Sequence, residues 1–223
     1  MVASSAAMRC PRCGAQARPP GLWSDVWSCA EHGEVAPLHA AVAASPEALR
    51  AGAARSQVPV WLPWPLPQGW LATGLMLAGD EHTGPRAAVV ACSGPNPLPP
   101  SLHDDPEEAP ASRVAELLLV AEQPGIGLAA HLAGLDGVDA GAAVGGGGPH
   151  MKLHAAGHDV PLWCAGADGC AAYVGEADGV WLWALIWPSR AAAVMMEDFS
   201  LVDLRDPGYT LDIPCGALSP RLQ

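Results

Sequence analysis

Lysine occurs once in these 223 residues, and phenylalanine, asparagine, tyrosine and isoleucine contribute one, one, two and three more. Such scarcity is what a GC-rich coding bias produces. It discounts the 25 glycines and 23 prolines as loop signals except where they cluster locally. Positive charge is also in short supply. Residues 56–223 hold six basic against nineteen acidic residues, and the whole chain carries a net charge of -12. Such a surface repels phosphate backbones and anionic headgroups, which argues against nucleic-acid or membrane partners. No long apolar run is present either. The most hydrophobic window, VWLWALIWPSRAAAVMM, is interrupted by Pro188 and Arg190, too early for a spanning helix. The opening MVASSAAMRCPR lacks the apolar centre of a secretion signal, so a cytoplasmic protein is expected.

Several chemistries lack their motifs. GGGGP has no Lys-Ser/Thr to complete a phosphate loop, and Cys92-Ser93 has no surrounding G-x-S-x-G elbow or identifiable base. A Rieske cluster would need C-x-H in its first pair. No catalytic residue is assigned.

What is present begins at position 10. Cys10 and Cys13 in CPRCG are followed by Cys29 and His32 in SCAEHGE, giving C-x2-C-x15-C-x2-H. Each pair is a tight turn aiming two donors at one point, and two facing turns make a tetrahedral site. Gly14 and Gly33 each follow a second ligand, where the turn requires positive φ. The expectation is structural Zn2+ held by Cys10, Cys13, Cys29 and His32, with Trp23 and Trp27 packed around it. A closed four-ligand set leaves no position for water or substrate. Seven cysteines, an odd number with the ligand residues clustered near the start, suit a reducing compartment.

Beyond the metal motif, Ser45 followed by Pro46 and Glu47, with Arg50 and Arg55 later, predicts a capped helix over 46–55. Strands are predicted at WLATGLMLAG, AAVVACSG, VAELLLVAE, MKLHAAG, VPLWCAG, AAYVGEA, VWLWALIW and SLVDLRD, and a second helix at GIGLAAHLAG. Asp178-Gly179 is a strong hairpin signal, and Gly157-His158-Asp159 a weaker one. The fold class is α+β, mainly β: a small N-terminal zinc ribbon, then an antiparallel β-rich domain with few short helices. The expected boundaries are a disordered 1–7, a ribbon-like module over 8–40, a helical linker over 41–57, and a β-rich domain over 58–223 with mobile loops near 96–112 and 135–149.

Three further groups are weighed. His150, His154 and His158 recur every fourth residue but sit in strand-like text, where i and i+4 stand too far apart for one ion. Cys164 and Cys170 read as small buried hydrophobes. In VWLWALIW, Trp181, Trp183, Leu185 and Trp187 alternate with Val180, Leu182, Ala184 and Ile186, so both faces are apolar and the strand belongs mid-sheet. The Trp face reads as core. Alternatively Trp181, Trp183 and Trp187, with Cys92 and Ser93, line a ligand pocket.

Taken together, CPRCG, GLWS, VPVWLPWPLPQGW, ACSGP, GEADGVWLWALIWP, DLRD and GALSPRL resemble an uncharacterised bacterial family, a domain of unknown function of high-GC Gram-positive type. The resemblance spans nearly the whole chain. It implies a zinc-ribbon-like N-terminus on a β-rich domain and brings no established activity. It also brings a phosphate acetyltransferase-type reading, for which the residues supply no motif. The functional expectation is a non-enzymatic regulatory or protein-interaction module whose partner is another protein; the alternative is a small-molecule binder or enzyme using a pocket in the β-rich domain.

Overall fold

The computed structural model describes residues 8–22, 24–98, 113–135, 140–144, 147–206 and 212–223. The expected disordered start, Trp23, and most of the first expected mobile loop lie outside them. So does part of the second loop, although within that stretch Ala140–Val144 forms a short helix, α3.

The N-terminal segment carries a two-stranded hairpin, β1 (Ser28–Cys29) and β2 (Gly33–Glu34), with isolated bridges Arg9 to Gln16 and Arg18 to Ser28. Helix α1 spans Pro46–Arg55, the predicted bounds. Ser45 Oγ accepts from the Ala48 N–H at 3.1 Å, and Pro46 occupies the first turn.

The rest is mainly β, as expected. Strands β3 (Trp61–Trp64), β4 (Leu71–Asp80), β5 (Gly84–Pro95), β6 (Val114–Glu122), β7 (Met151–Ala155), β8 (His158–Cys164), β9 (Ala171–Ala177), β10 (Val180–Trp187) and β11 (Ser200–Asp203) form one sheet. Their order is β3-β11-β7-β8-β9-β10-β6-β5-β4. Every pairing is antiparallel except β11 with β7. Strand β3 packs back over β5 and β6, so the sheet curls. The second expected helix is present but short, α2 at Leu128–Leu132.

Asp178 and Gly179 both take positive φ, +55° and +76°, in a two-residue turn between β9 and β10. This is the conformation that makes Asp-Gly a hairpin signal. Between β7 and β8 the tight turn is Ala156-Gly157, because Ala155 pairs directly with His158. The turn thus sits one residue before the Gly157-His158-Asp159 that the sequence suggested.

Each face of the sheet has its own core, and β10 contributes to both. Val180, Leu182, Ala184 and Ile186 join a core with α1 and β3, while Trp183, Leu185 and Trp187 join a second core with α2. Trp183 is only 1% exposed. Helix α1 lies close on β4: a Cβ on Gly52 would come within 2.5 Å of Leu75 Cδ2, so a larger residue there would require the Leu75 side chain to move.

The outer edge of β4 is covered by two distant parts of the chain. At one half, Leu75 and Val42 exchange backbone hydrogen bonds at 2.9 Å and His39 N donates to Leu77 O. At the other, Ala72 N donates to Pro214 O and Gly216 N to Ala72 O. The C-terminal tail is anchored through Glu116, whose Oε2 accepts from Ser93 Oγ at 2.6 Å and Ser219 Oγ at 2.7 Å. Among the described residues no helix is long and apolar enough to cross a membrane.

Candidate metal centre and adjoining cleft

The two knuckles face each other. The donor atoms of Cys10, Cys13, Cys29 and His32 all lie within 4.8 Å of one another, and this set could hold a metal ion. Cys10 Sγ is 3.6 Å and Cys29 Sγ 3.7 Å from His32 Nδ1, and Cys13 Sγ is 3.8 Å from Cys29 Sγ. Gly14 (φ +68°) and Gly33 (φ +67°) supply the positive φ that closes each knuckle. Cys10, Ala17, Cys29 and Val35 form a small core of their own, with Trp27 against it.

Burial pushes the Cys10 thiol up to about 11, whereas Cys29 is drawn down to about 6, chiefly by the Glu31 backbone N–H and next by the His32 side chain. A bound divalent cation overrides such differences, because the coordinating sulfur binds as thiolate. Three soft donors plus one imidazole is a tetrahedral Zn-type set.

The knuckles are pinned to the sheet. The Arg12 guanidinium, between the first two ligands, donates to the carbonyls of Gly125 and Ile126 in the loop after β6. A Cβ on Gly14 would lie 3.3 Å from His131 Nε2 on α2. The backbone of Leu38 bridges Arg9 on one side and Ala78 of β4 on the other.

Between the metal knuckles and the sheet lies a cleft of about 540 Å³. Cys13 and His32 form part of one wall, and Trp181, Trp183 and Glu122 line the sheet side. Trp181 stands directly opposite Glu122 on the neighbouring strand. Glu122 is 3% exposed, and its Oε2 accepts from the backbone N–H groups of Leu128 and Ala129 at 2.7 and 3.4 Å. Burial pushes its carboxyl up to about 7, against the opposing pull of those two N–H groups. The Trp183 indole N–H makes no hydrogen bond of acceptable geometry, although it is near enough to Glu122 to favour the charged form slightly.

The remaining sequence candidates scatter. Trp187 lies farther along the Trp face, under the Arg221 guanidinium at 5.0 Å. Cys92 points into the opposite core, where burial drives its thiol strongly upward. The Ser93 hydroxyl is held by Glu116 and Thr73. Cys92 and Ser93 therefore do not join Trp181 and Trp183 around the cleft. His154 pairs with Asp159 at 3.1 Å, and His150 Nδ1 accepts from Cys164 N; the three histidines do not converge.

Sequence reasoning passed over Glu122, Arg12 and Glu116. The signal was there for two of them: VAELLLVAE alternates so that Glu116 and Glu122 share a face with Leu118 and Val120, which places carboxylates at buried positions.

The chain belongs to a family of unknown function (DUF6758), whose model matches residues 4–222. No curated protein and no solved structure matches it.

Proposed function

We propose that this member of the family is a zinc-binding protein whose ion is structural, and that it works by binding rather than by catalysis. The supporting observation is the closed donor set: four protein ligands from two knuckles fill a tetrahedral ion's coordination and leave no position for a reacting water. The ion's role is to fix the N-terminal segment, so that Arg12 and Leu38 can hold it against the sheet.

The binding reading gives Cys92 and Ser93 no catalytic part: the thiol is buried in the core, and the Ser93 hydroxyl donates to Glu116, the largely buried carboxylate that also anchors Ser219 of the tail. Seven cysteines, none paired in a disulfide and three of them in the proposed zinc site, suit a reducing, cytoplasmic setting. The acidic surface favours a protein partner over nucleic acid or membrane.

Elemental analysis of protein expressed with ample zinc tests this reading. One zinc per chain is expected, and it should be lost in Cys10→Ser combined with Cys29→Ser. No zinc in the wild type, or full retention in the double variant, rejects it.

A further inference from the structure

The cleft beside the metal knuckles combines an indole wall with a buried acid. Its volume of about 540 Å³ lies within the range that takes a small molecule, roughly 300 to 1,000 Å³. Trp181 and Glu122 are directly opposed on adjacent strands, where paired Cβ atoms stand about 5 Å apart, so one ligand can touch both. We propose that this cleft binds a small organic cation bearing N–H donors, an amidinium or a primary ammonium, held between the Trp181 indole and the Glu122 carboxylate.

Three observations select a cation. The cleft wall carries two acids, Glu122 and Glu31, beside the guanidinium of Arg12 and the imidazoles of His32 and His131, and an entering anion would further disfavour ionisation of the buried Glu122, whereas a cation favours it. The described cation beside them, Arg12, already donates to the carbonyls of Gly125 and Ile126, and its effect on Glu122 ranks below those of burial, the two backbone N–H groups and Trp183. Glu122 therefore carries an acidic group out of water without a strong opposing charge, and a ligand cation would offset that penalty. Finally, the π-face of an indole attracts cations, most of all where water is partly excluded, and Trp181 is half-buried at the cleft wall.

The probe is benzamidine, a planar amidinium, with neutral benzamide of nearly the same shape as control. Both are titrated calorimetrically into the full chain, with zinc content measured on the same sample so that failure of the zinc reading is seen separately. One benzamidine per chain is expected, with benzamide at least about tenfold weaker, since a hydrogen-bonded charge contact of about 1.4 kcal/mol is worth that factor. Glu122→Gln should weaken benzamidine by a similar factor of about ten while retaining a cooperative melt. No benzamidine binding below about 10 mM, equal binding of benzamide, or unchanged affinity in Glu122→Gln overturns the proposal. Should Glu122→Gln fail to fold, Trp181→Ala decides: its side chain is only half-buried, and an undiminished benzamidine affinity in that variant also overturns it.

Discussion

The carboxylate of Glu122 reaches to 2.7 Å from the backbone nitrogen of Leu128, from a side chain that is only 3% exposed. One acid at the end of β6 thereby fixes the loop that runs into α2, and that loop is the one Arg12 grips from the metal side. The same burial makes stability depend on pH. The folded carboxyl titrates at about 7, above its ordinary 4.5, because burial disfavours the charge. Its protonated form is therefore favoured by folding: the contribution is fully present below about pH 4.5 and is lost as pH rises through about 7, by on the order of 3 kcal/mol. In denaturant titrations over this range, the stability of wild type relative to Glu122→Gln should fall with rising pH. Comparing the two proteins cancels any contribution from the metal ligands, and a flat difference would contradict the assignment.

Trp183 decides between packed core and open pocket wall on the Trp face. At 1% exposure it is core, although one edge of it lines the cleft. Trp183→Ala should cost about 3 to 5 kcal/mol, a large share of the roughly 5 to 15 kcal/mol available to a domain. Thermal melts of zinc-loaded wild type and variant measure it, and a shift of about a degree would reject the core assignment.

Metal removal should act locally. Chelation releases the two knuckles, so the amides of Ala17, Arg18 and Ser28, which bond within the N-terminal segment, should lose exchange protection. The amides of β6 and β10, buried mid-sheet and paired on both sides, should keep theirs. Hydrogen exchange before and after chelation reads both, and simultaneous loss across the sheet would contradict a local role for the ion.

Nucleic acid should bind poorly despite the ribbon-like motif. The first 55 residues hold five arginines against four acids, and the remainder is strongly acidic, so little counterion is released on contact with DNA. Affinity for duplex DNA at physiological salt should be weaker than about 10⁻⁶ M, as fluorescence anisotropy would show.

The features legible in the text are those governed by near neighbours. Ser45-Pro46-Glu47 announced α1 because a cap acts within one turn. The two-sided burial of β10 followed from its unbroken apolar alternation, and the metal cluster from two knuckles whose spacing is local. What was not legible depends on contacts between distant residues. Nothing within VAELLLVAE says that Glu122 will find its partners six and seven residues on, in the first turn of α2, rather than in solvent. Nor does Arg12 carry any mark that its guanidinium will reach carbonyls more than a hundred residues away. The parallel pairing of β11 with β7 is invisible for the same reason, because register between non-consecutive strands is set by the assembled core.

The covering of β4 carries a consequence for how the protein is made. Its outer edge receives residues 39–42 and 214–216, segments separated by most of the chain. During synthesis the first of these precedes β4 and can dock as soon as β4 emerges, whereas the second arrives only after every other strand of the sheet. Throughout that interval the β4 backbone near Ala72 presents unpaired amide and carbonyl groups to the crowded surroundings of the ribosome, where a strand from a neighbouring nascent chain can pair with them. Chains stalled or truncated before residue 214 should accordingly aggregate through this strand, and a polar substitution at exposed Leu71 would act as a gatekeeper for them while keeping the backbone pairing of Leu71 with Ser93 in the completed fold.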